Sequence, residues 1–194
     1  MLRIAWGITG CGDQIEETFG IMKDLSEHYD LDVRVYLSKN GELVMKWYNL
    51  WKDLNDIFPK VSVERGANSP FIAGQLQMGK FDLFLVCPMS ANTAAKIAHG
   101  IADSLLTNGV SQAAKARIPI YIYPADQYEG SIATILPDGK ELTLYMRDVD
   151  IENVDRLKRM QEITVLESIR EIEGVVRRHI EGLKGERVVN STAK

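Results

Sequence analysis

Two cysteines in 194 residues, Cys11 and Cys87, leave no room for a disulfide framework or for a four-cysteine metal or iron–sulfur site within one chain. No apolar run reaches the roughly 18 residues that a membrane span requires. The start, MLRIAWGITG, lacks the n-region, h-region and cleavage site of a signal peptide and reads directly as a strand. Basic residues form no long stripe and the formal net charge is −4, so nucleic acid is not the expected partner. No membrane contact and a reduced cytoplasmic setting are therefore expected. There is no internal repeat and no low-complexity linker. Against these absences stands a hydrophobic content of 45%, enough to build the core of a single domain over residues 1–183.

Apolar runs and helical periods alternate along that domain. Leu2 to Ile8 is an apolar run closed by Thr9-Gly10-Cys11-Gly12-Asp13. Ile15, Phe19, Met22 and Leu25 then recur at helical spacing. Leu31 to Leu37 reads as a second strand, and Ser38 to Gly41 as its exit turn. A helix is expected from about Glu42 to Phe58, a short strand around Val61 to Val63, and a short helix over 71–78. Phe81 to Val86 is a buried strand, with a helix over Asn92 to His99 after it. Val110 to Ala116 is helical and Ile118 to Tyr123 is another strand. The alternation predicts an α/β fold of Rossmann-like, flavodoxin-like type: a mostly parallel sheet with helices on both faces. Beyond Pro124 the pattern changes. Ser131 to Leu136 and Glu141 to Met146, around Pro137-Asp138-Gly139, read as a hairpin flap over about 130–147. A C-terminal helical region is expected over 151–183, with a stripe of Ile169, Ile172, Val176 and Ile180. Residues 184–194 read as a polar, frayed tail.

Ligands of open α/β sheets collect at the carboxyl ends of the strands. Three of the segments leaving strands there, Thr9 to Asp13, Ser38 to Gly41 and Pro88 to Thr93, are rich in Gly, Ser, Thr and Asn. Such loops let backbone approach a phosphate, and amides at a helix start bind it. Turns favour the same residues without any ligand, but three such loops on one rim favour a phosphate-bearing one. A dinucleotide fingerprint would want Gly where this chain has Ile15, and an acid where it has Ser38. A P-loop lysine is missing too. NAD and ATP fit poorly; a mononucleotide such as FMN fits better.

The stretch Pro88-Met89-Ser90-Ala91-Asn92-Thr93, followed by Ala95 to Thr107, closely resembles a hallmark of the flavoprotein superfamily of homo-oligomeric flavin-containing cysteine decarboxylases. That superfamily includes phosphopantothenoylcysteine decarboxylase, lantibiotic cysteine decarboxylases and flavin prenyltransferases. The resemblance covers about residues 2 to 130. It implies FMN held by Gly10, Cys11 and Gly12, flanked by Thr9 and Asp13, by Ser38, and by the loop Pro88, Met89, Ser90, Ala91, Asn92 and Thr93. It also implies a homo-oligomer, a trimer or a multiple of trimers. Where that family carries a catalytic His in a P-x-x-H-I-x-L-like segment, this chain has Ala73. Where it carries a P-x-M-N-x-x-M-W-like motif, this chain reads Pro124 to Gly130, and no cysteine follows Cys87. The Arg expected of the prenyltransferases after this strand has no obvious match.

The "AWGITGCGD"-like start, with the FMN loop intact, looks like the archaeoflavoprotein and dihydromethanopterin reductase (acceptor) branch. That likeness implies an FMN-dependent oxidoreductase or electron carrier, fed by a separate low-potential donor such as ferredoxin and passing electrons to a small-molecule or protein acceptor. A flavin-dependent decarboxylase or prenyltransferase-like enzyme is the rival, and a non-catalytic flavin-binding scaffold the second.

Several residues carry two readings. Cys11, at a helix start, is either a stabilised thiolate or small filler beside the cofactor; filler is favoured. Cys87 reads as buried strand end. His99 either reaches the flavin or marks a helix end, while His28 and His179 read as helix-surface residues. Leu43, Trp47, Trp51 and Leu54 form a stripe buried against sheet and partner subunit, or an aromatic platform. Tyr123 and Tyr128 invite the same question at the rim. Asp126 and Glu129 read as solvated turn carboxylates in preference to substrate contacts.

Overall fold

The computed structural model describes residues 1–192. Strand β1 (Leu2–Ile8) lies at the centre of a six-stranded, wholly parallel sheet of order β3-β2-β1-β4-β5-β8. Its partners are β2 (Leu31–Leu37) on one side and β4 (Leu83–Met89) on the other, and β3 (Val61–Val63) extends the sheet beyond β2. Beyond β4 lie β5 (Ile120–Pro124) and β8 (Ile163–Val165). β1 and β4 read as nearly unbroken apolar runs because helices cover both of their faces. The expected α/β architecture is the one observed.

Each face buries its own cluster. On one, Trp6, Ile8, Met22, Leu37, Met45 and Leu54 pack beneath α1 (Ile15–His28), α2 (Lys39–Trp47), α3 (Trp51–Ile57) and α8 (Glu171–Thr192). On the other, Phe84, Ile97, Leu106 and Val110 pack beneath α4 (Ile72–Gln77), α5 (Ala91–Ala98), α6 (Leu105–Lys115) and α7 (Asp148–Lys158). Trp6 is fully enclosed. Its indole N–H donates to the carbonyl of Cys87 at 2.8 Å, and its ring meets Phe58 edge-on at 5.4 Å. The bond satisfies the one polar atom that would otherwise oppose burial of so large a ring.

Four sequence expectations are corrected. The single helix expected over 42–58 is two, α2 and α3, because Asn49 takes a left-handed conformation (φ 58°) between them. Its first half also starts earlier, with Ser38 as the N-cap instead of part of a free turn. The helix expected over Asn92 to His99 forms as α5, but the one expected over Val110 to Ala116 begins earlier, at Leu105, behind its Ser104 cap. The C-terminal region is not wholly helical: β8 separates α7 from α8 and completes the sheet edge. Finally, α8 carries helical backbone to Thr192, through most of the expected frayed tail; residues 193–194 of that expectation lie outside the described residues.

The stripe Ile169, Ile172 and Val176 is buried as expected, and Glu173 pairs with Arg177 at 3.4 Å. The hairpin forms as β6 (Ser131–Ile135) and β7 (Glu141–Tyr145), a separate two-stranded sheet and not an extension of the main one. It is held over α2 by the Tyr48 hydroxyl, which donates to the Ile135 carbonyl at 3.3 Å.

Candidate functional site

The sheet winds outward from β1 through β2 and β3, and outward the other way from β4 through β5 and β8. The loops after β1 and β4 therefore diverge and leave a crevice at the carboxyl edge. Thr9 floors it. This nearly inaccessible side chain donates to the Pro88 carbonyl at 3.2 Å and accepts from the Ser90 amide at 2.8 Å. One hydroxyl thus stitches the two loops together.

To one side of that floor opens a cavity of about 370 Å³. It is bounded by Gly10, Ser38, Ser90, Asn92 and Thr93, named as site residues from the sequence, by Lys39 and Asn40 of the expected Ser38 to Gly41 loop, and by Glu64, Lys96 and Ser104, which were not expected. Lys96 lies four residues after Asn92 on α5, so helical spacing alone would have found it. Glu64 follows β3 and had no local signal. It reaches the cavity because parallel pairing brings the end of β3 beside the start of α6.

Three helices begin here, and they are not equivalent. α6 is closed: Ser104 and Thr107 form a reciprocal capping box, and a Glu64 carboxylate oxygen accepts from the Leu105 amide at 2.9 Å. α2 is closed in part, with the Ser38 hydroxyl accepting from the Gly41 amide at 2.9 Å. α5 stays open. Ser90 makes no capping bond, its hydroxyl facing that of Thr93 at 3.2 Å instead; the Ala91 amide faces the Asp126 carboxylate, and the Asn92 and Thr93 amides have no side-chain acceptor among the described residues. An anion placed there meets those amides, the positive end of the helix and the ammonium of Lys96, which also pairs with Asp103 at 2.8 Å.

Two glycines make the cradle. A Cβ on Gly10 would stand 2.5 Å from the Cβ of Asn40, and one on Gly41 would stand 2.5 Å from the Ile8 carbonyl oxygen. Both sites require bare backbone for α2 to approach the end of β1. Hydroxyls, open amides, lysines and bare backbone together fit the phosphate of a mononucleotide.

Cys11, Gly12 and Asp13 leave the cavity and turn toward α1, where Tyr48 packs on Gly12 so closely that a Cβ would meet its hydroxyl at 2.7 Å. Burial pushes the Cys11 thiol up to about 12, which sets aside the thiolate reading; the helix start does not activate it. Cys87 is buried, 3.7 Å from the Thr18 hydroxyl, and is likewise pushed up to about 12 by burial. Pro88 and Met89 belong to the end of β4, with Met89 wholly inside the core, so they shape the cavity without lining it. Ala91 opens α5 beside them.

The rim after β5 differs from expectation. Asp126 is half-buried, not a solvated turn carboxylate, whereas Glu129 is exposed. Tyr123 is buried; Tyr128 is exposed and donates to the Glu167 carbonyl at 2.6 Å. His99 ends α5 at the pole opposite Ser90 and lies 3.1 Å from the Asn153 side-chain oxygen. His179, expected on a helix surface, is half-buried and bonded to the Tyr121 hydroxyl at 3.0 Å; burial lowers its pKa. Among the described residues no cluster of His, Cys, Asp or Glu could hold a metal.

A family model described as Flavoprotein matches residues 1–182. The chain belongs to the flavoprotein family. Among similar proteins, an uncharacterised protein of Methanocaldococcus jannaschii is 59% identical over 93% of this chain and 97% of its own length. A dihydromethanopterin reductase (acceptor) of Methanosarcina mazei is 32% identical, over 86% of this chain and 95% of the relative. Among solved structures, Burkholderia xenovorans DmrB in complex with FMN, described as a cubic protein cage for redox transfer, superposes with a TM-score of 0.81. That likeness is at 27% identity, over 94% of this chain and 97% of DmrB.

Proposed function

We propose that this flavoprotein binds FMN in the crevice between β1 and β4 and acts as a reductase or electron carrier. The observation that carries the reading is the start of α5, which Ser90 leaves without a cap beside the closed start of α6 and the partly closed start of α2, floored by the Thr9 stitch. Ser90, Asn92 and Thr93 hold the phosphate from α5, Ser38, Lys39 and Asn40 meet it from α2, and Gly10 lets the backbone approach. When bound, FMN supplies the hydride or single-electron chemistry. The protein's part is to bind, orient and shield.

A redox role is favoured over decarboxylation by Ala73. It stands where the resemblance places the decarboxylase His, and it is buried in α4, offering no acid or base to the rim. The electron donor in this reading is a separate low-potential protein such as a ferredoxin, the acceptor is a small unsaturated molecule of the pterin kind, and the working form is a homo-oligomer built on trimers. Purified protein should turn yellow with FMN and retain it through gel filtration. Anaerobic mixing with reduced ferredoxin should then bleach it. Protein that stays colourless would end the flavin reading; a yellow protein that no donor reduces would leave a scaffold role in its place.

A further inference from the structure

A carboxylate on the wall of a phosphate cavity needs a reason, and Glu64 is one. Its place is fixed by the sheet. Glu64 follows β3, and its amide donates to the Leu37 carbonyl at 2.9 Å, continuing the ladder with β2. From there a carboxylate oxygen reaches the start of α6, 41 residues on, and accepts from the Leu105 amide at 2.9 Å. The capping box does not serve that amide. Thr107 accepts from the Ser104 amide at 3.0 Å and Ser104 from the Thr107 amide at 3.5 Å, which leaves Leu105 to Glu64. Free amides at a helix start and the positive end of the helix favour an anion, and here the anion is the chain's own.

The charged side chains of the cavity wall are Lys39, Lys96 and Glu64. The two lysines suit one phosphate monoester, which carries about −1.5 to −2 at pH 7. Lys96 is already shared with Asp103 at 2.8 Å, so little positive charge is left for more. With α5 and α2 meeting a first phosphate, α6 is the helix start that remains in this cavity. A second phosphate there would meet a carboxylate in place of the Leu105 amide.

We infer that Glu64 fills the second anion position of this cavity, so that the site takes a flavin carrying one phosphate and rejects one carrying a diphosphate, as FAD does. The inference rests on the FMN reading above and makes Glu64 a specificity-determining residue. Its selectivity has two parts. The carboxylate repels a second phosphate, and its oxygen occupies the amide that such a phosphate would use. A single phosphate disturbs neither, and α6 keeps its cap with the cofactor bound or absent.

Three variants separate charge, occupancy and helix stability. Glu64→Gln keeps an oxygen for the Leu105 amide but no charge, and Glu64→Ala empties the position. Ser104→Ala weakens the capping box and leaves Glu64 in place. Isothermal titration calorimetry with FMN and with FAD reads the preference. Wild type should favour FMN about 100-fold. Glu64→Gln should narrow that preference about tenfold and Glu64→Ala further, through tighter FAD binding, while Ser104→Ala keeps it. A preference unchanged in both Glu64 variants, or relaxed as much by Ser104→Ala, overturns the inference. A second readout needs no flavin. In thermal melts, inorganic pyrophosphate should stabilise Glu64→Ala more than it stabilises wild type, and inorganic phosphate should stabilise both alike. Equal pyrophosphate shifts overturn the inference. Wild type that responds to phosphate but binds neither flavin defeats the FMN reading, whereas a pyrophosphate gain in the variant still upholds Glu64 as the excluding group.

Discussion

Asn92 and Thr93 stand where a phosphate meets the open start of α5, so each contributes through its position more than its bulk. Asn92→Asp places a carboxylate against that anion, and Thr93→Val removes the hydroxyl partnered with Ser90. Each should weaken FMN binding about tenfold, or about 1.4 kcal/mol, measured by quenching of flavin fluorescence. Gly41→Ala tests the cradle instead. Its Cβ would press on the Ile8 carbonyl, a backbone atom that cannot swing aside, and should cost roughly 1–3 kcal/mol in urea unfolding. These positions were legible in sequence, because small and hydroxyl residues after a strand have few other reasons to cluster. Ser104 was not, since nothing local distinguishes it from an ordinary solvated helix start.

At the level of elements, the difference between closed α6 and open α5 is the informative contrast. Ser104→Ala removes one half of the capping box and should destabilise the protein by about 1 kcal/mol, read as a lower urea midpoint at unchanged slope. The hairpin has a weaker hold. A two-stranded sheet has little stability by itself, and one hydroxyl bond from Tyr48 ties it to α2. Tyr48→Phe should make residues 131–145 more sensitive to limited proteolysis while the sheet core stays protected. Sequence periodicity found the hairpin, α1 and β1 cleanly. It ran α2 and α3 together because their apolar spacing is nearly continuous and Asn49 gives only a soft signal of its left-handed turn. It missed β8 because three residues between helices are too few to show a period.

For the molecule as a whole, an ion pair ties the amino edges of β1 and β4. The Arg3 amide donates to Asp82 at 2.7 Å, and the guanidinium bonds the same carboxylate. Burial pushes the Asp82 carboxyl up, yet the hydrogen bonds and charge of Arg3 hold it below its ordinary value. A depressed carboxyl stabilises the fold above its unfolded pKa of about 3.9 and loses that contribution as pH falls through the folded value. Asp82→Asn should therefore lower the melting temperature at pH 7 and narrow the gap from wild type as pH falls through the depressed folded value. Thermal melts across that range would show the two curves converging.

The amino-acid order by itself determined the layered α/β plan, the three small-residue loops of the rim and the kinship carried by residues 88–107, because each depends on local spacing. Tertiary structure decided which helix start remains open, that Glu64 closes α6, and that Asp126 is half-buried instead of solvated. Those outcomes depend on burial and on neighbours distant in sequence. A carboxyl's charge is set by what surrounds it, and only the folded sheet brings those surroundings together.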